Sequence, residues 1–169
     1  MFTLVRKKEK ASITFLFTTT LISLFLLPFA IAKRPIKDWL IVYLVSSVGN
    51  SFIDKILVSR GYLKYKIRPL PSIFKIHLPF DHIYYPLMLL YYNQWTLNSK
   101  PIGYILKLFP FVIPQVFIET FAERNTRLIS WRRGWTWYHS LISLIIKLLA
   151  CRGIIGGIRV LNKNGLSFK

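Results

Sequence analysis

Three stretches of this sequence carry polar side chains at intervals of four: Ser46, Asn50 and Asp54; Gln115, Glu119 and Glu123; His139, Ser143 and Lys147. On a helix that spacing gathers each set onto one face. Asp81 and His82 open a further apolar run, and Asn93 and Gln94 stand near its end. Asp81, Glu119 and His139 belong to the residue types that take and release protons in general acid–base chemistry, which makes them the catalytic candidates. Asn50, Asp54, Asn93, Gln94 and Glu123 would complete a shared polar interior. Glu119, flanked by Phe117, Ile118 and Phe121, is the member least able to reach water. A structural alternative stands beside this. Asp54, Asp81, Glu123 and His139 fall near the ends of apolar runs, and interhelical hydrogen bonds in membranes average only about 0.6 kcal/mol, so these groups can equally serve as packing contacts.

Other chemistries lack support. There is no H-E-x-x-H, and adjacent Asp81 and His82 point about 100° apart on a helix, so no metal site is expected. His139-Ser140 has no G-x-S-x-G context. No cofactor motif is present. Cys151 is the lone cysteine and stands in an apolar stretch, which excludes an intrachain disulfide. Gly153-x-x-x-Gly157 allows close helix approach. Trp131, Trp135, Trp137 and Tyr138 suit an interfacial aromatic belt.

The elements that must position these groups are apolar and long. Of 169 residues, 53% are hydrophobic and only 18% charged, and the charges bunch between uncharged runs. A bilayer core is crossed by about 20 consecutive apolar residues in a helix. Runs near 11–32, 39–58, 80–97, 102–121 and 137–158 meet or approach that length. They predict an all-α transmembrane bundle of about five spans in one membrane domain, residues 1–169. Ala30-Ile31-Ala32 offers a signal-peptide cleavage site, but the first run exceeds a usual h-region and Lys33-Arg34 follow as a stop, so an uncleaved span is preferred. Pro69 and Pro71 break the connector after the second span, and Pro110 and Pro114 are expected to kink the fourth.

The formal charge of +18 is held in short clusters between spans, a pattern of membrane loops and not of a nucleic-acid-binding face. With the N-terminus inside, the inner loops hold fourteen Lys and Arg and the outer ones seven. That favours an N-in, multi-pass protein of the cytoplasmic membrane. Arg60, Lys64, Lys66, Arg68 and Lys75 are the expected contact with anionic lipid headgroups on that side.

Several pieces carry a resemblance: Pro35-Ile36-Lys37-Asp38-Trp39, Phe80-Asp81, Tyr92-Asn93-Gln94-Trp95-Thr96, the pair Glu119 and Glu123, and Trp131 to Ser140. In this order, over roughly residues 33 to 160, the chain resembles a family of small multi-pass membrane proteins from spore-forming Gram-positive bacteria. The resemblance implies a bacterial cytoplasmic membrane protein and supplies no mechanism. The preferred reading is a protein that acts by association with membrane lipid or with another membrane protein, a second copy of itself included. The alternative is an intramembrane enzyme on a lipid-linked substrate using Asp81, Glu119 and His139. A small transporter is third.

Overall fold

The computed structural model describes residues 2–68, 72–73 and 75–163, with side chains between 9 and 162. Pro69, Pro71 and Lys169 lie outside the described residues, as do the side chains of Arg6, Lys7, Lys8 and Lys163. The elements are α1 (Phe2–Ile31), α2 (Ile36–Ser59), β1 (Leu63–Lys64), a π turn (Phe80–Tyr84) leading into α3 (Tyr85–Trp95), α4 (Pro101–Leu106), α5 (Phe109–Asn125), β2 (Ser130–Trp131) and α6 (Trp137–Lys163).

Four of these helical stretches, Glu9–Ile31, Ile36–Ser59, Pro101–Asn125 and Trp137–Asn162, are long and apolar enough to cross a membrane. The chain is therefore a membrane-embedded, all-α helical bundle. Its surface is inverted relative to a water-soluble domain, with Phe25, Ile102 and Phe117 69%, 70% and 73% exposed while Asp81 is 0% exposed. Apolar side chains meet lipid at no cost, whereas a charge there costs several kcal/mol.

The segment expected as the third span differs from the other four. Its π turn of five residues and α3 of eleven rise about 24 Å at 1.5 Å per residue, short of the roughly 30 Å hydrocarbon core. It is a central helix: Tyr85, Leu89, Leu90 and Tyr92 are almost wholly buried, together with Trp39 and Val42 of α2 and Leu148 and Ile155 of α6.

The prolines act where their geometry dictates. The ring of Pro110 would meet the carbonyl of Leu106 four residues earlier, and α4 ends at Leu106. The expected kink is thus a break between α4 and α5. Pro114 is accommodated inside α5.

Cross-connections fix which ends of the helices lie together. β1 pairs antiparallel with β2, Leu63 opposite Trp131 and Lys64 opposite Ser130. Arg133 Nη1 donates to the Arg60 carbonyl at 2.7 Å, and Arg127 N donates to Ser12 Oγ at 3.0 Å. The start of α1, the connector after α2 and the segment after α5 therefore share one end. At the other end Gln94 Nε2 donates to the Ala30 carbonyl (2.7 Å), Arg159 pairs with Asp38, and Arg152 donates to the carbonyls of Thr96 (3.3 Å) and Leu97 (3.2 Å). Gly61 and Gly134 adopt φ of +78° and +76°, the left-handed conformation that lets the paired segments turn back on the bundle.

Candidate functional site: an acidic cavity inside the bundle

The faces of α2, the π turn, α5 and α6 that carry the polar spacing converge. Asn50 of α2 is the hinge of the arrangement. Its Nδ2 donates to Asp81 Oδ1 at 2.6 Å, and its Oδ1 accepts from Lys147 Nζ at 2.6 Å. One amide thus joins a carboxylate on the π turn to an ammonium on α6. Lys147 Nζ also lies 5.0 Å from the centre of the Tyr85 ring, a cation–π placement. One turn further along α2, Asp54 Oδ1 accepts from the Tyr65 hydroxyl at 2.8 Å. On α5, Gln115 Nε2 donates to Glu119 Oε1 at 3.2 Å.

The π turn has a local reason to matter here. Its wider helical turn brings two consecutive side chains onto α2: Asp81 reaches Asn50, and His82 is held between Ser47 Oγ (Nδ1, 2.5 Å) and Ser51 Oγ (Nε2, 3.2 Å). Such turns often mark functional positions.

Asn50, Asp54, Gln115, Glu119 and Lys147 line a cavity of about 120 Å³, closed on one side by Tyr65, His77 and Trp135 from the paired connectors. Its remaining walls are apolar, with Phe15 and Leu16 from α1 and Ile118 from α5. Burial first, then the Asp54 and Asp81 carboxylates, pushes the Tyr65 phenol well above its ordinary pKa, so Tyr65 is a permanent donor. Burial likewise pushes the His77 imidazole down to about 4, so it is neutral at physiological pH. Several polar atoms around the space have no hydrogen-bond partner in the protein: Asp54 Oδ2, Asp81 Oδ2, Gln115 Oε1, the Tyr85 hydroxyl and both His77 ring nitrogens. Buried polar atoms are rarely left so.

The structure separates residues that sequence spacing had grouped. Asn50, Asp54, Asp81 and Glu119 are brought together; His139 is not. It sits at the start of α6, accepting from Thr136 N through Nδ1 (3.2 Å) and packing on Trp135 and Tyr138. It lines a second depression with Ile53, Ile142 and Ile146, which adjoins the cavity through Trp135, Ser143 and Lys147. Two turns deeper on the same stripe, Lys147 takes the place in the interior that His139 was expected to hold. Asn93 and Gln94 belong to the opposite end, where Asn93 Nδ2 donates to the Leu89 carbonyl at 2.8 Å. Glu123 is half-buried beyond the cavity lining. Arg60, Lys64, Lys66 and Lys75 are exposed, and Arg68 Nη1 donates to the Tyr65 carbonyl at 2.6 Å.

Tyr65, His77 and Tyr85 have no periodic signal and were missed; a basic connector conceals the first two, and an aromatic in an apolar run reads as core. No group of three or more His, Cys, Asp or Glu among the described residues could hold a metal ion. Compared with known protein families, curated proteins and solved structures, the chain finds no match.

Proposed function

We propose that this membrane protein acts by association with a membrane amphiphile, whose polar head is held in the acidic cavity. The observation that carries this reading is the convergence of Asn50 and Asp54 from α2, Glu119 from α5 and Lys147 from α6 on a space with apolar walls. Asp54 Oδ2 and Gln115 Oε1, on residues that line the space, have no partner in the protein, and a group held in the space could supply one. At about 120 Å³ the space is well below the roughly 300 Å³ of a drug-sized pocket, which suits a head group and leaves the tail in lipid.

The excess of Lys and Arg at the connector end supports a cytoplasmic location for that end, with Arg60, Lys64, Lys66 and Lys75 against anionic headgroups. In intact cells, cysteines replacing Lys66 and Arg127 in a Cys151→Ala background should escape an impermeant thiol reagent, while one at Ser99 should react. Equal labelling at Lys66 and Ser99 would sink the orientation. The resemblance to small membrane proteins of spore-forming bacteria supports the bacterial cytoplasmic membrane as the location.

Native mass spectrometry of the protein released from detergent tests the main reading. A bound amphiphile is expected on the unaltered protein and not on Ser143→Phe, which fills the cavity from α6. An unaltered protein that emerges bare from several mild detergents would remove the reading. Asp54 and Glu119 in one cavity also favour a second reading, acid–base catalysis on a lipid-linked substrate without His139. A chemically altered lipid that forms with the unaltered protein and not with Glu119→Gln would establish that reading in place of simple binding.

A further inference from the structure

We infer that the head group held in the cavity is a cationic amine, and that its amphiphile slides in sideways from the lipid between α1 and α5. This rests on the amphiphile-binding reading above.

Charge comes first. The whole chain has six Asp and Glu against 24 Lys and Arg, yet two of the six, Asp54 and Glu119, line this one space, and a third, Asp81, stands behind it on Asn50. Lys147 is the one Lys or Arg in the lining, and its nearest oxygen partner is the Asn50 amide, not a carboxylate. Among the described residues the salt bridges are Arg127–Glu9 and Arg159–Asp38, and neither involves the cavity. A low-dielectric space lined by two carboxylates and one ammonium favours a further positive charge over a negative one.

Hydrogen-bonding capacity agrees with charge. Among the lining residues, Asp54 Oδ2 and Gln115 Oε1 are unpartnered acceptors on residues 5% and 2% exposed. An ammonium, with up to three donors and no acceptor, matches that set. Tyr84, Tyr85 and Trp135 line the same space, and the Tyr85 ring already holds one cation, Lys147 Nζ, at 5.0 Å. A phosphate would meet two carboxylates and a single lysine.

The route follows from which helices pack together. α1 packs on α2, α3 and the π turn, and α5 packs chiefly on α6, so α1 and α5 face one another without close packing along their lengths. Phe15, Leu16 and Thr19 of α1 and Ile118 and Ala122 of α5 nevertheless both line the cavity. The paired connectors close the polar end, through Leu63, Tyr65, Leu128 and Trp135, and α2 with the π turn closes the far side. The apolar seam between α1 and α5 is left facing the bilayer, where an acyl chain can lie while the amine sits inside.

Thermal unfolding of the full chain in a nonionic detergent, with dodecylamine, dodecanol, dodecyl phosphate or butylamine added, tests this. Dodecylamine should raise the midpoint by several degrees, with dodecanol and dodecyl phosphate having little effect. Asp54→Asn and Glu119→Gln preserve shape, and each should weaken dodecylamine by about tenfold, as expected for one lost charge-assisted hydrogen bond. Asp38→Asn, outside the cavity, should leave its affinity unchanged. Thr19→Trp, placed on the seam, should slow dodecylamine binding. Equal stabilisation by dodecyl phosphate overturns the amine while leaving amphiphile binding intact. Butylamine acting as well as dodecylamine overturns the membrane route. Absence of any stabilisation, together with a bare native mass spectrum, removes both this inference and the reading beneath it.

Discussion

The two ends of the bundle handle buried charge in opposite ways. At the end away from the paired connectors, Arg152 donates to the carbonyls of Thr96 and Leu97 and lies over the Tyr104 ring at 4.7 Å. Gln94 binds the Ala30 carbonyl, and Asn93 turns back on its own helix. Donors there end on backbone oxygens or aromatic faces within a filled interior, and they join one helix to the next. At the cavity end, Lys147 and the carboxylates of Asp54 and Glu119 share a space they do not fill. Unpartnered atoms occur at both ends, Asn93 Oδ1, Gln94 Oε1 and Arg152 Nε at one and Asp54 Oδ2 and Gln115 Oε1 at the other, so the space itself is what sets the cavity end apart. Polar residues in a membrane bundle thus fall into two kinds. Those that finish in contacts hold the bundle, and those that surround a space are available to something else.

The largest expected effect breaks the comparison at its centre. Asn50→Leu removes the amide that joins Asp81 to Lys147 and leaves a carboxylate and an ammonium without their bridge. Thermal unfolding in detergent should show a loss of about 3–5 kcal/mol. A stability within error of the unaltered protein would mean that the interior charges do not depend on one another. Next, Arg152→Met should cost about 1.5–3 kcal/mol, from hydrogen bonds made by a charged group, and should leave the dodecylamine shift untouched. If it abolished that shift, the two ends would not be the separate kinds of site argued above.

A smaller effect is graded by pH. Burial lowers the His77 pKa from 6.5 to about 4, so between those values the unfolded chain takes up a proton that the folded one refuses. The contribution is full above about pH 6.5 and lost as pH falls toward 4, by about 1 kcal/mol per pH unit. His77→Phe should flatten stability across that window, and an unchanged slope would place the pH dependence elsewhere. Smallest of all, Asp38→Asn breaks the part-exposed pair with Arg159 and should cost about 0.2–1 kcal/mol. A larger loss would show that this pair closes its end of the bundle.

Much of the fold was legible because the bilayer constrains helices through length and apolarity alone. The four long helices follow the uncharged runs, and the two basic connectors meet at one end as their positions along the chain required. The stripes through Asn50 and Asp54 and through Gln115 and Glu119 were readable from spacing. Spacing gives a face and not a depth, however, and this is why His139 stood in for Lys147. Along α6 the stripe runs from Thr136 and Trp135, where His139 stays, to the interior, where Lys147 meets Asn50. Tyr65 and His77 were illegible because their burial depends on β1 finding β2, a pairing between segments far apart in the chain. The central position of α3 also escaped notice, since a sixteen-residue apolar stretch reads alike whether lipid or protein surrounds it.

The β1–β2 pairing also sets an order of assembly. Chains are made from the N-terminus, and the Asn50–Asp81 contact needs only segments that emerge early. β2 leaves the ribosome well after β1, and Lys147 follows only with the last helix. Until then the carboxylates of α2, the π turn and α5 have no ammonium among them and no roof of Tyr65 and Trp135. The final helix therefore delivers both the counter-charge and the closure, and a chain truncated before α6 would present an open acidic cleft to the membrane machinery that inserts it.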